Sequence, residues 1–143
     1  MTKQPGLSSP VPPPLPLSCT LVALGGAFGT AIRFGIASVI STDDGADAIP
    51  FGIFTVNLIG AFLMGFLVAV LAKVEAKHAH KWRLFLATGM LGGFTTYSAL
   101  AVDSATLMMR GNIVLAFLYS FGTVILGVLV CWLGVFIGNK AAQ

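Results

Sequence analysis

Four apolar runs, residues 17–41, 51–72, 84–109 and 113–138, contain between them only two charged side chains, Arg33 and Asp103. Each run exceeds the ~20 residues that a helix needs to cross the ~30 Å hydrocarbon layer of a bilayer. A chain in lipid must satisfy its backbone polar groups internally, so runs of this length fold as helices. The expected class is therefore an all-α membrane protein with four transmembrane helices. Composition agrees: 57% of the residues are apolar and 9% charged, against about 45–50% and about 25% in soluble domains. An ordinary cytosolic globule is excluded. The net charge of +3 does not indicate a nucleic-acid partner, because such a surface gathers its cations on an exposed patch with aromatics between them. Here half of the lysines and arginines, four of eight, sit in one short connector.

Six of the seven prolines lie in residues 1–16. That stretch has too little apolar mass to fold and reads as a disordered or polyproline tail, leaving 17–143 as one transmembrane domain. Its prolines also interrupt the continuous apolar region a signal peptide requires. Cys19 and Cys131 lie in apolar segments without His or acidic neighbours, which supports neither a disulfide framework nor a metal knuckle. His78 and His80, in the connector 73–83, read as solvated residues because no third metal ligand is in reach.

Small residues four apart let helix backbones approach closely in lipid. The pairs Gly25/Gly29, Gly89/Gly93 and Gly134/Gly138 have this spacing, with partners in this chain or in another. Short connectors imply antiparallel neighbours. With four spans, both termini and the 73–83 connector share one side, which carries Lys3, Lys73, Lys77, Lys81, Arg83 and Lys140, whereas Arg33 and Arg110 belong to the other. The positive-inside rule then places the termini and the middle connector in the cytoplasm of a multi-pass cell-membrane protein.

Polar groups inside a membrane are costly and usually face protein or water. Arg33 is either a snorkelling cation or an anion attractor at a pore mouth. Asn57 is either an interhelical clamp or a pore donor. The third run is the most informative, because it brings three glycines, Thr95, Thr96 and Ser98 close together at mid-membrane. Glycine and β-branched threonine are poor helix formers, and a break in the helix is expected there. Broken helices in membranes line cavities, where freed carbonyls bind cations and freed amides bind anions. Asp103 follows the break as a proton site, an acceptor for hydroxyls, or a partner for Arg33. Tyr119, Ser120 and Thr123 on the last run read as helix glue or pore lining.

Four motifs occur in order on the four spans: Gly26-x-x-Gly-Thr-x-x-Arg33, Thr55-Val-Asn-Leu-Ile-Gly60, Gly89-x-x-Gly-Gly-Phe-Thr-Thr-Tyr-Ser98 and Tyr119-x-x-x-Thr123. Together they resemble the Fluc/CrcB family of fluoride channels over about residues 21–138. The resemblance implies an antiparallel, dual-topology dimer of four-helix subunits that passes fluoride passively out of the cytoplasm and relieves its toxicity. It also implies a structural, non-transported Na+ at the dimer centre, held by the carbonyls of Gly92 and Thr95. Arg33 would stand at an entrance, and Asn57, Thr96 and Ser98 would donate to the anion. Tyr97 and Leu100 would occupy the positions of the ring pair that lines the pore, and Tyr119 and Thr123 would line a polar track.

Family members usually carry phenylalanine where this chain has Tyr97 and Leu100, and commonly glutamate where it has Asp103. Leu100 has no aromatic edge to offer an anion. An antiparallel homodimer must insert both ways and needs balanced Lys/Arg, whereas six cations stand here against two. The expected partner is therefore a paralogous subunit of opposite orientation, with a homodimer as the alternative; the alternative to a conducting subunit is a non-conducting or single-pore partner in such a heterodimer. A small multidrug exporter would need a carboxylate in the first span, which has Arg33 and no acid. A packing subunit of a larger complex would need only the glycines. Nothing in the sequence supports an enzyme: there is no intramembrane His, no pair of acids and no nucleophile elbow.

Overall fold

The structure, a computed structural model, describes residues 13–40 and 49–142, leaving aside the side chains of 76–78. Most of the tail (1–12) and of the first connector (41–48) lies outside the described residues. The chain is all helical among the described residues, and four helices are long and apolar enough to cross a membrane. The first two are α1, Leu15–Ile40, and α2, Phe51–Leu71. The third span, Ala79–Met109, is composite. It runs from α3, Ala76–Trp82, through a π-helical segment, Arg83–Leu91, and one α-turn, α4, Gly92–Phe94, to α5, Tyr97–Met109. The fourth is α6, Ile113–Ala141.

Two boundaries depart from the sequence expectation. Helix α1 begins at Leu15 and includes Pro16, because a proline in the first turn removes only an N–H that no helical carbonyl would accept. The basic connector is helical from Ala76. Hydropathy detects the lipid-facing part of a helix, whereas alanine and lysine carry the helix onward into the interface.

All three glycine pairs find their partners inside this chain. A methyl on Gly25 or Gly29 would run into the backbone of Phe85 or Met90, and one on Gly93 would meet Gly26 Cα at 2.9 Å. Helix α1 thus lies backbone to backbone on the first half of the third span. A methyl on Gly134 would collide with the Phe62 carbonyl, one on Gly138 with that of Phe66, and one on Gly65 with that of Cys131, which joins α2 to α6 in the same way. These two seams are the most extensive pairings in the bundle, and α5 adds to the second by packing on α6. Chain neighbours such as α1 and α2 touch less, so the tightest partners are not the consecutive helices that short connectors suggest.

The turn into α6 is set by Gly111, whose φ of 85° is positive. Asn112 N–H donates to the Leu107 carbonyl at 2.9 Å and Gly111 N–H to that of Met108 at 3.0 Å. This is a Schellman cap, in which glycine supplies the left-handed residue after the helix.

Candidate functional site

The third span breaks where its glycines and threonines predict. Thr95 (φ −80°, ψ 149°) and Thr96 (φ −148°, ψ 120°) are extended, and side chains replace the helical hydrogen bonds around them. Thr96 N–H, which would close on the Gly92 carbonyl in a continuous helix, donates instead to Asn57 Oδ1 at 2.8 Å. Ala99 N–H, which would close on the Thr95 carbonyl, donates to Thr96 Oγ1 at 3.3 Å, so that Thr96 caps α5. Two carbonyls of the break accept from side chains: Thr96's from Asn57 Nδ2 at 3.2 Å and Gly93's from Thr30 Oγ1 at 3.3 Å. Gly92 and Thr95 are thus two positions of the break whose carbonyls lose their helical donors.

Asn57 therefore acts as a clamp from α2, pairing with both backbone groups of Thr96. An amide nitrogen carries two N–H groups, and one satisfies the Thr96 carbonyl, so the second remains to donate elsewhere. Clamp and donor are compatible roles. The side chain lies on a groove of about 610 Å³ lined by Thr95, Thr96, Tyr97, Leu100 and Thr123 among others. Asn57 and Thr123 add to the polar lining, and Met64, Cys131 and Trp132 line it from α2 and α6. Thr96 and Ser98 share a hydroxyl hydrogen bond of 3.0 Å, which uses one of their two protons. The first turn of α5 opens beside it, and a helix N-terminus favours negative charge.

Arg33, Asp103 and Tyr119 do not line this groove. Arg33 lines a separate cleft of about 710 Å³ with Thr30, Phe34 and Ile53. Asp103 accepts from Tyr119 Oη at 3.1 Å, which is the acceptor role among its three readings. Tyr119 is buried with Leu100, Leu107 and Ala116, and the Pro50 carbonyl is a second acceptor for its hydroxyl at 3.4 Å. It ties α6 to α5 and to the start of α2. Thr123 Oγ1 donates to the Tyr119 carbonyl, so its proton is turned toward its own helix while its side chain lines the groove. Ser120 and Ser104 join α6 to α5 at 2.7 Å.

Residues 20–135 match the family model described as CrcB-like protein, Camphor Resistance (CrcB). The chain belongs to the CrcB family. Among its relatives, the "Fluoride-specific ion channel FluC" of Thermus thermophilus is 39% identical over 119 residues, covering 83% of this chain and 93% of that protein. The protein of the same name from Paracoccus denitrificans is 43% identical over 118 residues, covering 82% and 91%, and that from Aquifex aeolicus is 40% identical over 119 residues, covering 83% and 94%. With four spanning helices, this CrcB member is a multi-pass membrane protein.

Thr30 and the π-helical segment were given no role from the sequence. Thr30 stands in the first motif, between Gly29 and Arg33, and its hydroxyl supports the break from α1. Side-chain identity gives no signal for the π-helix, which is a change of hydrogen-bond register.

Proposed function

We propose that the chain is a subunit of a fluoride channel, conducting the anion passively out of the cytoplasm, and not an enzyme. The observation that carries this reading is the exchange of helical hydrogen bonds for side-chain ones at Thr95–Thr96. The exchange frees carbonyls at the end of one half-helix beside the N-terminus of the next, the kind of break by which membrane helices serve cations and anions. Asn57 with its second N–H and the Thr96–Ser98 hydroxyl pair supply donors for a strongly hydrated anion. The names of the relatives supply the ion.

The same geometry suits a structural Na+. Gly92 and Thr95 each offer a carbonyl without its helical donor, and two chains together would offer four, a reasonable oxygen cage for a hard cation. Bound there, the ion would raise the local potential for an anion. Gly92, Tyr97 and Ser98 are exposed in the single chain, and non-helical backbone is tolerated at membrane depth only when protein or an aqueous cavity covers it. A second chain over this face meets that need, in an antiparallel dimer with the break at its centre.

The excess of Lys/Arg on one side favours a paralogous partner of opposite orientation, with this chain's termini and middle connector cytoplasmic. Leu100 supports the same assignment, since it lines the groove without an aromatic edge and the partner would supply rings of its own. The decisive experiment is fluoride efflux from liposomes holding this chain alone, the paralogue alone, or both. Efflux with both, lost when Asn57→Ala is introduced, is expected; no fluoride flux from any of them supports a non-transporting assembly subunit. Recovery from native membranes of this chain alone, protected in both orientations, would establish the homodimer instead.

A further inference from the structure

At the opposite end of the α1 seam from Arg33, a cleft of about 400 Å³ is lined by Leu21, Lys81, Trp82 and Phe85. Its lining is apolar apart from Lys81. Lys81 and Trp82 are exposed and lie at the interfacial start of the third span. Phe85 lies one turn further in, roughly 6 Å deeper at the usual helical rise. Leu21, six residues into α1, forms the facing wall.

A cation and an indole over an apolar throat match a phospholipid: tryptophan rings settle at headgroup depth, and basic pockets between transmembrane helices hold anionic headgroups. The charge favours an anionic lipid over a zwitterionic one, since Arg83 follows directly and no acidic side chain lines the cleft. Two other cations of this end are engaged within the chain. Lys73 Nζ donates to the Asn139 carbonyl at 2.9 Å, and Lys140 Nζ lies 4.5 Å from the centre of the Phe136 ring. Among the described residues of this end, Lys81 is the cation that lines the cleft.

We propose that this cleft binds an anionic phospholipid of the adjoining leaflet, with its headgroup on Lys81 and its chain against Leu21, Trp82 and Phe85. The site is independent of the permeating ion. Its test uses Trp82 as reporter. The chain has two tryptophans, so Trp132→Phe leaves Trp82 as the sole emitter. The full chain is reconstituted in phosphatidylcholine vesicles in which either phosphatidylglycerol or part of the phosphatidylcholine carries brominated acyl chains. Brominated phosphatidylglycerol is expected to quench Trp82 equally at about fivefold lower bulk fraction, the enrichment one lysine near an anionic headgroup provides. Lys81→Gln should bring the two lipids to parity, while Arg83→Gln keeps most of the preference. Equal quenching by both lipids with Lys81 intact overturns the proposal. So does the absence of quenching by either, which would mean that protein covers the cleft, and so does a preference that survives Lys81→Gln but not Arg83→Gln.

Discussion

The α2–α6 seam and the seam between α1 and the first half of the third span are built from the same material. Both set glycines against opposing backbone, and neither leaves space for a methyl group. Yet α2 and α6 run on as regular helices, whereas the third span changes to π-helix and then breaks at Thr95–Thr96. Close glycine packing therefore does not itself break a helix. The break needs substitutes for the helical bonds it gives up, and they come from Asn57 on α2, Thr96 at the α5 cap and Thr30 on α1. One seam holds the bundle; the other also holds open the place where the backbone becomes available.

The largest effect is expected from bulk in either seam. Gly65→Val and Gly29→Val each drive a side chain into a carbonyl of the facing helix, and neither variant should yield folded, monodisperse protein by size exclusion in detergent. Tolerance of Gly29→Val alone would show that the α1 seam yields where the α2–α6 seam does not. Asn57→Ala should separate the seams next. It leaves the N–H and C=O of Thr96 without partners, costing about 1–3 kcal/mol for each group that stays dry. The loss should appear as faster hydrogen exchange at the break, with exchange in α6 unchanged. An unchanged break would sink the clamp.

Thr96→Val keeps the shape and removes the α5 cap, at a cost of about 0.5–2 kcal/mol, read as a lower midpoint in a denaturation series. Replacing sodium by a bulky organic cation should loosen dimers through the break and leave the α2–α6 seam intact; sodium-independent assembly would count against Gly92 and Thr95 as its ligands. The smallest effect is Gly122→Ala. Among the described residues, nothing beyond its own stretch of helix backbone lies within 4 Å of the added carbon, so better helix propensity should stabilise α6 by up to about 1 kcal/mol. A large loss would instead place another chain against that face.

Much of this was legible in the residues. The four spans follow from apolar length, and the break follows from glycine and threonine at mid-membrane. The three glycine pairs announce close helix packing, since a missing side chain is visible in a sequence. Other features were not legible. That Arg33 and Asn57 line separate clefts of the single chain is visible only once the helices are packed. Tyr119 reads equally as glue or lining, and only its placement among Leu100, Leu107 and Ala116 with its hydroxyl on Asp103 distinguishes them.

The sequence by itself determined that the chain crosses a membrane four times, that its helices approach closely, and where the third one fails. These depend on local properties: apolar length, the lack of a Cβ, and the poor helix propensity of a short stretch. The tertiary structure alone decided which helices share a seam and which carbonyls lose their donors. An asparagine brings the same donors and acceptor wherever it stands, and its partner here is a backbone unit 39 residues away. Only folding brings α2 near enough for that amide to take the hydrogen bonds a continuous helix would have kept.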